Sequence, residues 1–452
     1  MKHLSLTALA ATLLLACASV AAAEAAPSSP QQHVDQLAGK SHARLIYRGV
    51  TVIDGCGAAP RAGMAVVVDG ERIAAIVPAA SVSDATYPGY QLREMDGLYV
   101  LPGLIDTHVH YATRPDRPYA EAELKRDIYA GVTAVRDMAG DARALADLSR
   151  AALIHEIAAP DIFYAALVAG PSFFADPRTQ VAALGVQAGQ VPWLQAIDQR
   201  SDLRQAVTLA RGTGASGLKI YANLPGPLVR GLIAEARRQQ FPVWTHAQVY
   251  PASPYDSLGA TAVSHVCMIA RYVREPGKAQ YGHGGEPSYA GLDAGDPGIR
   301  RYIAALARSG TIMDATLSVY QRSGPHCQLG LAAGIARAMQ QAGVPLSAGT
   351  DSDTTPEDAF PALFGELDLL VHEAGLSPAE AIVAATRNAA AVLGRQAEFG
   401  TLAPGKLANL LFVRDDPLRD IGNLRSVVLT VKRGHPYARA DYQPQPIPPH
   451  EE

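Results

Sequence analysis

Cysteine is scarce in this chain, with four in 452 residues. One of them, Cys17, lies in an apolar N-terminal stretch. The other three, Cys56, Cys267 and Cys327, are too few for a disulfide framework. One bridge among them would suit an oxidising compartment, but the sequence does not select a pair, and buried free thiols are the expected state. Charge of one sign is also lacking. The formal net charge is −4, so there is no basic footprint for nucleic acid. No second apolar stretch follows the N-terminal one, so no transmembrane span is expected. The 40 glycines and 32 prolines are scattered and build no repeat or low-complexity tract.

What is present begins with a targeting segment. Lys2 and His3 give a short basic start, Leu4 to Val20 are almost all small or apolar, and Ala21-Ala22-Ala23-Glu24-Ala25-Ala26 offers small-residue cleavage sites. Residues 1–25 read as a secretory signal and 26–43 as a polar, disordered lead-in. Export across the inner membrane to the periplasm is the expectation. Leu14-Leu15-Ala16-Cys17 also resembles a bacterial lipobox, in which Cys17 would carry a lipid.

Hydrophobic residues make up 48% of the chain and charged ones 18%, a globular balance with enough length for a large core. Both ends look all-β. Ile46–Ile53, Met64–Val68 and Arg72–Val77 read as strands, the last two joined by the tight-turn pair Asp69-Gly70. Leu410–Val413 and Ser426–Val431 repeat the pattern near the C-terminus. Between them, short apolar runs alternate with amphipathic helical segments such as Leu203–Arg211 and Leu228–Gln239. Counting the run that ends at His110, eight strands are predicted: Gly131–Asp137, Ile162–Ala169, Gly217–Tyr221, Phe241–His246, Thr261–His265, Gly310–Ala315 and Val344–Asp351 supply the rest. Eight βα units of roughly thirty residues predict an α/β fold, a (β/α)8 TIM barrel over 101–397. A small β-sandwich domain is expected from 44–100 plus 398–440. No glycine-rich phosphate fingerprint follows the first barrel strand, which ranks a doubly wound sheet lower.

In such a barrel the chemistry sits at the C-terminal strand ends. His108 and His110 stand one residue apart at the end of an apolar run, and on a strand both point the same way, as two ligands of one metal require. Lys219 lies between apolar neighbours in the fourth strand. His246 and His265 close the fifth and sixth strands, and Gly349-Thr350-Asp351 closes the eighth. Each has a bland explanation alone, such as a core histidine, a snorkelling lysine or a turn. Four histidines, a lysine and an aspartate at the same end of five strands point to a metal site.

The pattern resembles the amidohydrolase superfamily of metal-dependent hydrolases. The resemblance rests on Pro102–His110, Gly131–Asp137, Lys219, His246, His265, Gly349-Thr350-Asp351-Ser352 and Gly400–Leu410, and spans about residues 44–435. It implies two divalent metal ions. His108, His110 and Asp351 would hold one, and His246 and His265 the other. Lys219, carboxylated by CO2, would bridge them as a carbamate. Zinc is the expected metal, and manganese or cobalt suits the same donors. The nucleophile implied is a metal-bridging hydroxide, with Asp351 as the proton shuttle. A single-metal site without the carbamate is the alternative.

Deaminases and some cyclic-amide hydrolases of the superfamily carry a glutamate three residues after the strand-five histidine; here that position is Val249. The whole pattern looks most like the prolidase-like and imidazolonepropionase-like group, secreted dipeptidases and carboxypeptidases included. Two departures are Gln248, where relatives often have a second histidine, and Asn409, where an aspartate is usual. The activity implied is hydrolysis of an amide bond in a dipeptide or N-acyl amino acid, with an ester, lactone or cyclic amide as the alternative. Tyr221, two residues after Lys219, would donate a hydrogen bond to the substrate carbonyl. Arg271 or Arg274 would pair with a substrate carboxylate. Two long connections, Gly170–Trp193 and Arg271–Gly298, are expected to overhang the site. Assembly into a homo-oligomer is left open by the sequence.

Overall fold

The computed structural model describes residues 44–277, 287–321, 327–352 and 358–444. The expected secretory signal, the lead-in and Cys17 lie outside these residues. Two sheets organise the chain. The barrel strands are β6 (Leu104–Val109), β7 (Val132–Asp137), β8 (Asp161–Ala169), β11 (Gly217–Ile220), β12 (Val243–His246), β13 (Ala262–Ser264), β14 (Ile312–Asp314) and β15 (Leu346–Ser347). They pair in parallel in that order. Backbone bonds from Thr107 N to the Ala348 carbonyl (3.1 Å) and from Asp351 N to the His108 carbonyl (2.8 Å) join the last strand to the first. The molecule is the expected (β/α)8 barrel.

These strands are short and apolar because a parallel barrel covers both faces of its sheet. Every residue of β6, β7, β11 and β12 is buried. Helices Ala142–Leu153, Leu203–Gly212, Gly226–Arg238 and Pro297–Ser309 between them show one apolar stripe each. Helix Ala142–Leu153 buries Leu145, Leu148, Ala151 and Ala152, and starts where the Asp141 carboxylate accepts from Arg143 N. Helix Pro297–Ser309 starts at Asp296, with proline as its first residue. It stops at Gly310, whose φ of 71° a side chain would resist.

The second sheet has eight strands. β1 (Arg44–Val52), β2 (Arg61–Asp69), β3 (Arg72–Pro78), β4 (Gln91–Glu94) and β5 (Tyr99–Pro102) come from the N-terminal side. β16 (Leu410–Val413), β17 (Val427–Lys432) and β18 (His435–Ala438) come from the C-terminal side. The expected sandwich is one continuous hydrogen-bonded path, β18-β17-β16-β5-β1-β2-β3, with β4 added beside β1. The path curls on itself, so the turn at Gly434 meets Gly70 between β2 and β3. Tyr47 and Phe412 stack at 4.8 Å inside the curl, among Val50, Val66, Ile73, Val100 and Leu410.

One expectation needs correction. Cys267 and Cys327 are not buried free thiols but form a disulfide, with Cα atoms 6.3 Å apart, and the remaining cysteine among the described residues, Cys56, is exposed. The pair is remote in sequence but sits on the loops after neighbouring strands β13 and β14. The Gly170–Trp193 connection has secondary structure of its own. It holds a turn (Pro171–Ala175), a helix (Pro177–Ala182) and β9 (Gln190–Val191), which pairs with β10 (Leu194–Ala196). β10 in turn runs parallel to β8. No helix among the described residues is long and apolar enough to cross a membrane.

A buried ion cluster ties the curled sheet to the barrel. Asp161, at the start of β8, meets Lys432 Nζ at 3.6 Å and Arg433 Nε at 2.8 Å, and Lys432 Nζ also donates to the Ala152 carbonyl. Burial alone would raise the Asp161 carboxyl, but the charges of Arg433 and Lys432 outweigh it and hold it below its usual value. Asp161→Ala is expected to destabilise the protein by about 3 kcal/mol near neutrality, because Lys432 and Arg433 lose a buried carboxylate and Arg433 keeps Glu71 at 3.6 Å. A carboxyl depressed in the folded state stabilises above its unfolded pKa, and that contribution is lost as pH falls through the folded value. Urea unfolding at pH 7 and in acid measures both, and the gap between wild type and variant is expected to narrow in acid. An unchanged midpoint at pH 7 would show that the cluster contributes nothing.

Candidate active site

The C-terminal ends of five barrel strands converge on Asp351. His108 Nε2 lies 3.6 Å from its Oδ1, His110 Nε2 3.2 Å from the same oxygen, and His265 Nε2 3.8 Å from Oδ2. The ring of His246 is 4.8 Å from that of His265. Lys219, only 2% exposed, donates from Nζ to the Met138 carbonyl at 2.8 Å. The structure therefore brings together His108, His110, Lys219, His246, His265 and Asp351. His108, His265 and Asp351 bring their ligand atoms within 4.8 Å of one another, and His110 stands nearer still to the Asp351 carboxylate.

Electrostatics suit this set to a cation. Burial lowers the pKa of His108 to about 3 and that of Lys219 to about 7, and it pushes His246 and His265 below the ordinary imidazole value. Neutral imidazoles are the metal-binding form. For Asp351, burial would raise the pKa, but His108, His110 and His265 outweigh it and hold the carboxyl well below its usual range. The decisive detail is at His108. Its Nδ1 bonds the Asp314 carboxylate at 2.9 Å, so Nδ1 carries the hydrogen and Nε2 presents its lone pair to the cavity. That Nε2 is buried and has no hydrogen-bond partner among the described residues. A divalent metal between the imidazoles and Asp351 would satisfy it.

Asp314, at the end of β14, is the functional residue that the sequence reading passed over. Its Oδ2 accepts from His108 Nδ1, from Arg136 Nη2 at 2.8 Å and from Ser264 Oγ at 2.8 Å, and its Oδ1 accepts from Thr107 Oγ1 at 2.9 Å. Arg136 lies fully buried against the Trp244 ring. An acid after the apolar pair Ile312-Met313, level with the other strand ends, was the available signal. Gly349 completes the arrangement, since a Cβ there would collide with Asp314 Oδ1 and Thr107 Oγ1. Thr316 Oγ1 plays a related part at His265, 3.0 Å from Nδ1. Four residues just beyond strand ends, Ala139, His265, Thr316 and Asp351, have left-handed φ values of 89°, 73°, 51° and 45°. Strained non-glycine backbone of this kind clusters at functional sites.

A cavity of about 880 Å³ opens over these groups, a size suited to a small molecule. Tyr221 and Arg271 line it. Arg274 does not; its guanidinium donates to the Ala290 carbonyl at 2.6 Å. Arg114 and Arg178, which the sequence reading did not single out, line it as well. Of the two departures, Gln248 is buried and Asn409 Oδ1 accepts from Arg433 N at 2.8 Å, a structural role.

The Amidohydrolase family model matches residues 326–436. An imidazolonepropionase from Rubrobacter xylanophilus is 28% identical over 366 residues, which cover 77% of this chain and 84% of the relative. A Xaa-Pro dipeptidase structure covers 88% of this chain and all of its own at 20% identity and TM-score 0.67, and A. niger ochratoxinase 89% and 97% at 21% and 0.68. The chain is thus similar to amidohydrolases, over residues 326–436 by the family model and over most of its length to these relatives. In this chain, Asp314→Asn is expected to weaken metal affinity about 10–100-fold, because the carboxylate orients the His108 ring. Competition with a chromogenic chelator checks it, and unaltered affinity in a folded variant would make Asp314 a packing residue only.

Proposed function

We propose that this hydrolase cleaves the amide bond of a dipeptide or N-acyl amino acid, using two divalent metal ions held by His108, His110, His246, His265, Asp351 and a carboxylated Lys219. The observation that carries the reading is the convergence of three imidazoles on Asp351 beneath a cavity walled by arginine. A closed structural zinc site takes four protein ligands and leaves no room for water; a ligand set opening into a cavity of this size suits catalysis. The metals, when bound, would acidify water and polarise the scissile carbonyl.

The protein's own groups divide the remaining work. Asp351 is placed to accept a proton from the attacking water and deliver it to the leaving nitrogen. Tyr221, at the cavity wall beside His246, would donate to the carbonyl oxygen. Arg271 would pair with the substrate carboxylate. The Xaa-Pro dipeptidase likeness supports the dipeptide reading. The imidazolonepropionase relatives favour a second reading, in which the substrate is a cyclic amide, lactone or ester. The Cys267–Cys327 bond supports the proposal that the protein works in an oxidising compartment such as the periplasm.

Amino acid release from a library of dipeptides and N-acyl amino acids, with zinc-loaded protein in bicarbonate buffer, tests the reading. Release from a coherent subset is expected. No release from protein shown to hold metal would overturn it and turn attention to cyclic amides, lactones and esters. Lys219→Ala is expected to lower both the metal-to-protein ratio and the rate. A full metal complement in that variant would remove Lys219 from the ligand set.

A further inference from the structure

We infer that the cavity selects substrates by an apolar side chain, held in a subsite that the connection after β8 builds beside Tyr221; the inference rests on the amide-hydrolase reading above. That connection leaves β8 at Gly170 and returns along β10, and it carries an apolar cluster distinct from the barrel core. Leu167, Phe173, Ala182 and Leu194 belong to this cluster and also line the cavity, with Val181 half-buried beside them. The Thr179 hydroxyl on this wall is already engaged by the Phe174 and Asp176 carbonyls. Arg178 turns to Asp176 at the exposed end of the helix, 2.7 Å away.

The wall is joined to the reacting centre by tilted ring contacts. Phe173 lies 4.7 Å from Tyr221, and Tyr221 lies 4.1 Å from His246. The far side of the cavity differs in chemistry. It is formed over β13 and β14 by the disulfide, Tyr320 and Arg271. A substrate whose amide sits over the ligand set, with its carboxylate toward Arg271, therefore projects its other substituent against Phe173, Val181 and Leu194. A cationic or amide side chain there would lose its water for little return, and an acidic one would have to draw Arg178 away from Asp176. A branched or aromatic one would bury its surface.

The test uses the metal-loaded full chain and two amide series, varied at one side of the scissile bond at a time through Gly, Ala, Leu, Phe, Asn, Asp and Lys. At one of the two positions, kcat/KM is expected to be about 10–100-fold higher for Leu or Phe than for Ala, and lower for Asp and Lys. Val181→Asp is expected to cut the Phe-to-Ala ratio about tenfold, and Leu194→Ala to shift the preference toward the larger side chain. Cleavage with no such preference, or an unchanged ratio in both variants, would overturn the subsite and leave the hydrolase reading standing. Calorimetry with N-acetyl-phenylalanine against N-acetyl-alanine reads the subsite even if no amide is cleaved. Tighter binding of the aromatic probe would support it, and equal binding would overturn it.

Discussion

At the base of the active site one buried carboxylate, Asp314, accepts hydrogen bonds from groups on four other barrel strands. Thr107 and His108 reach it from β6, Arg136 from β7, Ser264 from β13 and Ser347 from β15. Burial alone would raise this carboxyl, but the charge of Arg136 and the hydrogen bond from His108 outweigh it and keep the pKa below its usual value. An unpaired anion at such depth would be prohibitive, so the fold depends on this set being complete. The same set fixes the ring of His108, and backbone bonds from Thr107 and Asp351 to the two facing strand ends close the barrel at that level. Barrel closure and ligand geometry thus share one layer of polar contacts.

The layer above is strained, and the strain has a use. Left-handed residues at Ala139, His265, Thr316 and Asp351 turn the chain sharply as it leaves the strands. Each costs on the order of 1–3 kcal/mol in non-glycine backbone. The turns let His265 and Asp351 face the same centre from strands on different sides of the barrel mouth. The hydrogen bonds of Thr350 to Asp106 and of Thr316 to His265 hold them there.

What could be read from the sequence followed from periodicity. His108 and His110 share one side because a strand repeats every two residues, and Lys219 and Tyr221 obey the same rule. Strand ends are marked by a histidine or an acid after an apolar run, so the residues that converge at the barrel mouth were legible without coordinates. Asp314 was not, because an acid followed by Ala315-Thr316 reads equally well as the start of a turn. Arg136 was quoted only as part of a strand, since nothing local shows that its partner lies on β14. The disulfide was hidden for the same reason: adjacency of β13 and β14 loops is a property of the closed barrel, not of spacing. That His265 and Asp351 face one another depends on the path of the chain after β13 and β15, where positive φ values overrule any regular pattern.

The curled sheet has a consequence for the order in which the molecule assembles. β5 leads directly into the first barrel strand, yet its partner β16 emerges only after the entire barrel. Until then the N-terminal strands present an unpaired edge, the kind of surface that other chains adopt as a template. Pairing so distant in sequence is slow to form. The sheet therefore acts as a clasp that fastens last. A chain interrupted before β16 would carry every residue of the candidate metal site yet leave the apolar residues of β1, β2 and β5 without their cover, a form marked for aggregation or proteolysis rather than for catalysis.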